Sequence, residues 1–376
     1  MKSAELANTY LKFSASFHTE RWTQPVNLPY HRRQLATIDL ATDQYPESFL
    51  YDTDDSADYL AELDQIEQAL PLCDDIGAIA KRVLFQLERD RELALAISSR
   101  DDNGFSIMER AHYGMPDDRL VARAEAELSQ PSVPNDDDPS VDAEALRKQL
   151  DHALRNCGLN SWQAELDAGM AAKASVNGPK HLIHVRADAV FTPLEAERLV
   201  VHEFGGHVLR WVNSTRQSEP WAKVPLGNTV PTEEGLAVCR ESEFGLLDEA
   251  TIRKYQVRCL AVHVAATGGI MDVMRAISPY LDQVECAEIA IRTKRGLIDP
   301  NAPGGATKDW GYYDGFIRTS QLRTDDEDAY ALLCAVKWTL EDLPLIQHLA
   351  TEGLLAPPQI IPTRELLGLT NDFYGT

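Results

Sequence analysis

The sequence has few of the features that mark secreted or membrane proteins. Its six cysteines form no C-x-x-C pair and are scattered along the chain, so they predict buried free thiols in a reducing compartment, not a disulfide framework. Residues 1–22 contain no apolar run of the signal-peptide type, and no stretch of about 18 apolar residues occurs anywhere. We therefore expect a cytoplasmic protein without a membrane span.

Positive charge is also scarce. The 36 lysine and arginine residues are outnumbered by 59 aspartate and glutamate residues, which gives a formal net charge of −23. Such a charge favours solubility and disfavours binding to the phosphate backbone of nucleic acids. It also makes a strongly acidic peptide tail a poor substrate, because like charges repel.

The chain divides into two predicted regions. Residues 1–140 form a mainly helical region that ends in a polar linker rich in proline and aspartate. Residues 141–376 form the second region, which contains the motifs described below. Within it, residues 162–190 have strand-like patterns with Asn177-Gly178 as a hairpin turn, and helical patterns dominate the remainder. We therefore predict an α+β fold that is mostly helical, with a small antiparallel sheet beside the helix described next.

The most informative segment is His202-Glu203-Phe204-Gly205-Gly206-His207. Two histidines that bracket a glutamate on a helix build a catalytic zinc site, although the familiar motif, H-E-x-x-H, has one residue fewer. On an ideal helix a spacing of five separates two side chains by about 140°, whereas a spacing of four separates them by about 40°. The two glycines allow the backbone to widen into a π-type turn that brings the histidines together. The alternative is a chance match, with two unrelated histidines on a buried helix.

The flanking residues place this motif inside a buried helix and suggest a third ligand. Thr192-Pro193-Leu194-Glu195 has the pattern of a capping box with proline at the first helical position, and the residues that follow are too apolar for a surface helix. A catalytic zinc ion needs a third protein ligand. Thr232 is predicted to cap a second helix whose first turn contains Glu233 and Glu234, either of which supplies a carboxylate. Ordinary helix-start chemistry explains these two glutamates equally well.

HEFGGH followed by TEEGLA resembles a family of zinc peptidases that includes the tubulin tyrosine carboxypeptidase of animal cells and bacterial relatives with a Q-E-G-L-A motif. The resemblance implies a zincin-like core of the gluzincin type. It also implies zinc ligands at His202, His207 and Glu234, with Glu203 as general base. Glu233 stands where the bacterial relatives often have glutamine.

A second segment extends the resemblance over most of the chain. Thr307-Lys308-Asp309, followed by two tyrosines and a glycine, is similar to a T-K-D segment of the family. An oxyanion that develops during amide hydrolysis needs hydrogen-bond donors. We predict Tyr313 and Lys308 as these catalytic donors, with ordinary packing of an aromatic-rich loop as the alternative.

A carboxypeptidase must also bind the free carboxylate of its substrate. Arginine binds carboxylates best because its guanidinium donates two parallel hydrogen bonds. Arg240, Arg292 and Arg295 are the predicted substrate-binding residues, and a solvated basic turn is the alternative.

These residues predict a zinc-dependent peptidase. Zinc held by two imidazoles and a carboxylate lowers the pKa of bound water to about 7, and Glu203 takes the proton of that water as it attacks the amide. By its resemblance, the enzyme is a metallocarboxypeptidase that removes the C-terminal residue of a peptide or protein. Two alternatives stay open: a zinc amidase with a small non-peptide substrate, and a catalytically silent binding protein stabilised by zinc.

Overall fold

The computed structural model describes residues 3–14, 22–52, 56–69, 77–131, 140–168, 170 and 172–369. The chain forms two compact units: Met1–Ser132 with Thr251–Asp314, and Val133–Ala250 with Gly315–Thr376. Each unit thus combines two separate parts of the chain, whereas the predicted regions are contiguous. Cys73 and residues 132–139 of the predicted linker lie outside the described residues.

The first unit is helical. Its helices are Ser3–Ser14, Leu28–Leu35, Ser56–Ala69, Gly77–Ser99, Asp102–Tyr113, Asp118–Leu128, nearly all of Glu249–Ala265, Ile270–Ile277, Gln283–Lys294 and the 3₁₀-helix Lys308–Trp310. Asp101 caps one of them, because its side chain accepts a hydrogen bond from the backbone N–H of Asn103. One buried apolar cluster of this unit contains Leu93, Ile97, Phe105 and Leu297.

The second unit contains two small sheets. Its strands are β1 (Val141–Asp142), β2 (Gln163–Asp167), β3 (Ala174–Asn177), β4 (Leu182–Arg186) and β5 (Val190–Phe191). β1 pairs with β5, and β3 pairs with β4 in the hairpin predicted at Asn177-Gly178, both antiparallel. β2 pairs with the other edge of β4 in parallel, so the prediction of a purely antiparallel sheet is wrong. The chain reverses twice between β2 and β4, which leaves these two strands running in the same direction.

Helices make up the rest of the second unit. They are Ala143–Asn156, Pro193–Leu199, the π-helix Val200–Val208, Leu209–Ser214, the 3₁₀-helix Pro220–Lys223, Val230–Glu243, most of Gly311–Asp325, Glu327–Leu333, the 3₁₀-helix Leu340–Asp342, Leu343–Thr351 and Arg364–Leu367. The fold is therefore α+β and mostly helical, as predicted. Among the residues that the structure describes, no helix combines the length and apolarity needed to span a bilayer.

Val230–Glu243, which we call the glutamate helix, begins earlier than predicted. Thr229 is its N-cap, and Pro231 lies in the first turn, where a missing N–H costs nothing. The predicted N-cap at Thr232 is therefore wrong. The hydroxyl of Thr232 instead accepts a hydrogen bond from the backbone N–H of Leu340 at 3.0 Å. Glu233 lies in the first turn, as expected, whereas Glu234 lies beyond it, so that part of the prediction is wrong.

Candidate metal centre

The two histidines of the HEFGGH segment lie on the π-helix. A continuous helical stretch begins after Thr192, whose hydroxyl accepts a hydrogen bond from the backbone N–H of Glu195 at 3.1 Å, and it widens into the π-helix Val200–Val208. In a π-helix the hydrogen bonds join residues five apart, so a spacing of five corresponds to about one turn. His202 and His207 therefore face the same side, and the predicted widening is confirmed.

Three potential ligand atoms converge on that side. The Nε2 atoms of His202 and His207 are 3.2 Å apart, and Glu234 Oε2 lies 3.3 Å from the first and 3.8 Å from the second. Within the described residues, these three side chains form the group able to hold a metal ion. Two nitrogen or oxygen ligands about 2.0–2.1 Å from zinc at the tetrahedral angle lie about 3.3–3.4 Å apart. Two sides of the triangle, 3.2 and 3.3 Å, are close to this separation, and the third, at 3.8 Å, is longer.

Two buried carboxylates determine which nitrogen of each imidazole carries a proton. His202 Nδ1 lies 2.6 Å from Glu241 Oε1, and His207 Nδ1 lies 3.4 Å from Glu233 Oε2. An ionised carboxylate can only accept hydrogen bonds, so each Nδ1 is the donor. With a metal ion bound, both Nε2 atoms would then present their lone pairs to it beside Glu234. Carboxylates that orient metal-binding histidines in this way recur in zinc proteins.

The charges at the triangle favour a bound cation. Burial opposes a charged His202, but the carboxylates of Glu234, Glu241 and Glu203 outweigh it and raise the pKa of His202 to about 10. Burial likewise opposes ionisation of Glu234, but the two imidazoles keep the pKa of this carboxyl below its usual value. Glu234 Oε2 is buried and accepts no hydrogen bond of normal geometry among the described residues. An orphaned anionic oxygen beside two imidazole nitrogens fits a metal ion.

Glu203 is buried beside these residues, with 5 % of its surface exposed. Burial is the main cause that raises the pKa of its carboxyl, although both histidines act in the opposite direction. A carboxyl group whose pKa moves toward neutrality is a stronger base once ionised. The environment of Glu203 therefore suits proton transfer.

Glu233 occupies a different environment from its neighbour in sequence. Its Oε1 lies 2.7 Å from Arg210 NH1 and 2.5 Å from Lys337 Nζ. Although burial opposes ionisation, these two cations and His207 hold the pKa of the Glu233 carboxyl well below its usual value. Glu233 therefore faces the Nδ1 side of His207, away from the nitrogen that faces Glu234.

Glycines allow the surrounding helices to approach closely. A Cβ atom on Gly206 would lie 2.8 Å from the Cβ of Ala237, so the π-helix and the glutamate helix pack nearly backbone to backbone. On the glutamate helix itself, a Cβ on Gly235 would lie 2.3 Å from the carbonyl carbon of Gly315. Close packing on two sides fixes the position of Glu234.

The sequence is similar to that of a known protein family. A family model described as "Microtubule-associated tyrosine carboxypeptidase" matches residues 42–370. The chain belongs to the microtubule-associated tyrosine carboxypeptidase family. Microtubule-associated tyrosine carboxypeptidase 1 of Homo sapiens is 32 % identical over 170 residues, which cover 42 % of this chain and 34 % of the relative. The protein of the same name from Mus musculus is 33 % identical over 137 residues, which cover 34 % of this chain and 28 % of the relative. These matches thus span about a third of the length of the relatives.

The other predicted site residues of this tyrosine carboxypeptidase family member have partners of their own. In the second unit, Arg240 NH1 lies 2.5 Å from Glu243 Oε2, and its guanidinium stacks on Tyr330. Six residues on an ideal helix correspond to a rotation of about 120°, which turns Arg240 away from Glu234. The contacts of Arg240 are therefore those of a residue that joins two helices.

Four predicted residues lie in the first unit. The Tyr313 hydroxyl is 2.6 Å from Glu127 Oε2, and Arg292 forms a bidentate pair with Asp309. Burial lowers the pKa of both Arg295 and Lys308, which lie near the same Asp309 carboxylate. The roles of Tyr313, Lys308, Arg292 and Arg295 in substrate binding or catalysis stay predictions.

Four residues that were not predicted from the sequence contact the histidines or their carboxylates: Arg198, Arg210, Lys337 and Glu241. Glu241 has 0 % exposure, and Arg198 NH1 lies 3.3 Å from both of its carboxylate oxygens. Helical spacing could have predicted these two residues. Glu241 follows Glu234 by seven residues and Arg198 precedes His202 by four, and such spacings place side chains on the same face of a helix. Lys337 comes from a distant segment and has no such signal.

Proposed function

We propose that this protein is a zinc-dependent carboxypeptidase with a zincin-like core of the gluzincin type. One observation carries the proposal: His202, His207 and Glu234 direct three ligand atoms at one point, separated by 3.2–3.8 Å. The carboxylates on both Nδ1 atoms support it, since they leave the Nε2 lone pairs for a cation.

The residues have distinct roles in the proposed reaction. Zinc at this site would supply Lewis acidity, which polarises the scissile carbonyl and makes a water molecule acidic enough to attack it. Glu203 accepts the proton from the attacking water and returns it to the leaving amine. Glu241 and Glu233 hold the imidazoles in orientation.

The proposed cleavage position follows from the family. The relatives are named tyrosine carboxypeptidases, so we infer that this protein removes a C-terminal residue and that tyrosine is the first residue to test. The net charge of −23 disfavours strongly acidic peptides. Short neutral peptides that end in tyrosine are therefore the best initial substrates.

The test combines metal analysis with peptide cleavage. We expect one zinc ion per chain in the wild type and none in His207→Ala, measured by elemental analysis on tag-free protein after zinc is offered at neutral pH. We also expect cleavage of peptides with a free C-terminus, no cleavage of their amidated counterparts, and loss of cleavage with retained zinc in Glu203→Gln.

Each alternative gives a different result. Absence of zinc in the wild type would remove the basis of the proposal. Cleavage of amidated peptides would instead favour an endopeptidase or amidase. Bound zinc with no hydrolysis of any peptide, in the wild type and in Glu203→Gln alike, would favour the silent binding protein.

A further inference from the structure

The two carboxylate oxygens of Glu233 contact different side chains. Oε1 lies 2.7 Å from Arg210 NH1 and 2.5 Å from Lys337 Nζ, whereas Oε2 lies 3.4 Å from His207 Nδ1. One oxygen is thus anchored by two cations, and the other faces the imidazole. The two nitrogens of an imidazole lie on opposite sides of the ring, so a carboxylate on Nδ1 cannot bind a metal held by Nε2 of the same ring.

The two cations are themselves held in place. Arg210 has 3 % of its surface exposed and donates from Nε to the Leu333 carbonyl at 3.3 Å and from NH2 to the Trp338 carbonyl at 2.7 Å. Arg210 thus joins the helix after the π-helix to residues 333–338.

The segment that carries Lys337 is equally fixed. The backbone N–H of Lys337 donates to the Ala222 carbonyl at 2.7 Å, and the indole N–H of the fully buried Trp338 donates to the Trp221 carbonyl at 3.0 Å. These contacts leave Lys337 little freedom to follow a displaced Glu233. The position of Glu233 is therefore fixed by contacts among three segments of the chain: the helix that carries Arg210, residues 221–222 and residues 333–338.

We propose that Arg210, Glu233 and Lys337 form a positioning unit for His207. This inference rests on the proposed zinc site, because it concerns how one ligand of that site is oriented. The two cations anchor the first oxygen of Glu233 and leave its second oxygen on His207 Nδ1. The unit therefore keeps the proton on Nδ1 and the lone pair on Nε2.

The first measurement is zinc affinity by competition with a chromophoric chelator at one fixed pH. Glu233→Gln keeps the shape of the side chain but removes its charge, and its amide can donate to Nδ1 and stabilise the wrong tautomer. We expect zinc binding about 10–100-fold weaker than in the wild type, the usual effect of removing such an outer carboxylate. Lys337→Met should weaken binding in the same direction, and Lys337→Arg should restore most of it.

Two controls separate this effect from general damage. Lys254→Met removes an exposed pair with Glu285, at 2.8 Å in the other unit, and should leave zinc affinity unchanged. The unfolding midpoint of each metal-free variant shows whether it is folded, and Lys337→Gln replaces Lys337→Met if that variant is not.

A double variant tests whether the residues act together. If Lys337 acts through Glu233, Glu233→Gln/Lys337→Met should bind zinc about as weakly as Glu233→Gln alone. Multiplied losses in the double variant, or wild-type affinity in both single variants, would overturn the positioning unit while leaving the zinc site intact. A wild type that binds no zinc would instead remove the proposed function itself.

Discussion

Substitution by alanine should destabilise the protein at Gly206 but have little effect at the adjacent Gly205. A Cβ on Gly205 would lie 3.6 Å from Leu367 Cδ2 and Pro362 Cβ, which is ordinary van der Waals contact. A Cβ on Gly206 would lie 2.8 Å from Ala237 Cβ and 3.0 Å from Ala237 Cα, which real side chains do not tolerate. Gly205→Ala is therefore a matched control for Gly206→Ala in the same π-helix.

The size of the effect follows from these distances. To reach the 3.4–4 Å of ordinary contact, the π-helix and the glutamate helix must separate by about 0.6–1.2 Å at Gly206. Overpacking of this kind costs about 1–3 kcal/mol of stability. Gly205→Ala should change the free energy of unfolding by less than about 1 kcal/mol, with the helix propensity of alanine in its favour. The same separation moves His207 from Glu234 by more than the roughly 0.5 Å that a preorganised site tolerates.

The assays are urea unfolding of the metal-free proteins and zinc affinity by chelator competition. We expect Gly206→Ala to be less stable and to bind zinc more weakly than both the wild type and Gly205→Ala. Equal stability and equal zinc affinity in the two variants would refute the close approach as the reason for Gly206. Greater damage from Gly205→Ala would mean that the glycines serve the π-type backbone and not the packing.

Three further outcomes are expected. Glu234→Ala should lose zinc at concentrations where Glu233→Ala still binds it, measured as metal content after gel filtration; the opposite pattern would exchange their roles. Glu241→Gln should weaken zinc binding by about 10–100-fold, because it removes the carboxylate on His202 Nδ1, and unchanged affinity in chelator competition would contradict this. Zinc at about 100 times its Kd should stabilise the wild type by about 2.7 kcal/mol in thermal unfolding, and the same addition should not stabilise His207→Ala.

Features that depend on a few neighbouring residues could be predicted from the sequence. The N-cap at Thr192 and the hairpin at Asn177-Gly178 each follow from a short segment, and both are present. The π-type turn followed from a spacing that a regular helix cannot satisfy. The wrong N-cap at Thr232 also depends on a short segment. Thr229 and Thr232 are both suitable N-caps, and Pro231 favours the earlier one because proline is preferred in the first turn of a helix.

Features that depend on distant segments could not be predicted in this way. The parallel pairing of β2 with β4 depends on which edge of β4 the hairpin leaves open. Lys337 reaches Glu233 only because residues 333–338 pack against Arg210. Periodicity and spacing describe one element at a time, so they contain no information about such contacts.

The charges around the proposed zinc site suit the anionic chain end of the proposed substrate. The carboxylates of Glu203, Glu233, Glu234 and Glu241 lie near three cations, Arg198, Arg210 and Lys337. With all four carboxylates ionised and both histidines neutral, as metal binding requires, the group would carry one net negative charge. A divalent cation changes this to one net positive charge. The C-terminal carboxylate of a substrate would then bring the group to neutrality, whereas an amidated end would leave it positive. The local charge of the proposed metal-bound site would thus be opposite in sign to the overall charge of −23. Free-end specificity can therefore arise without any contribution from Arg240, whose guanidinium is already paired with Glu243.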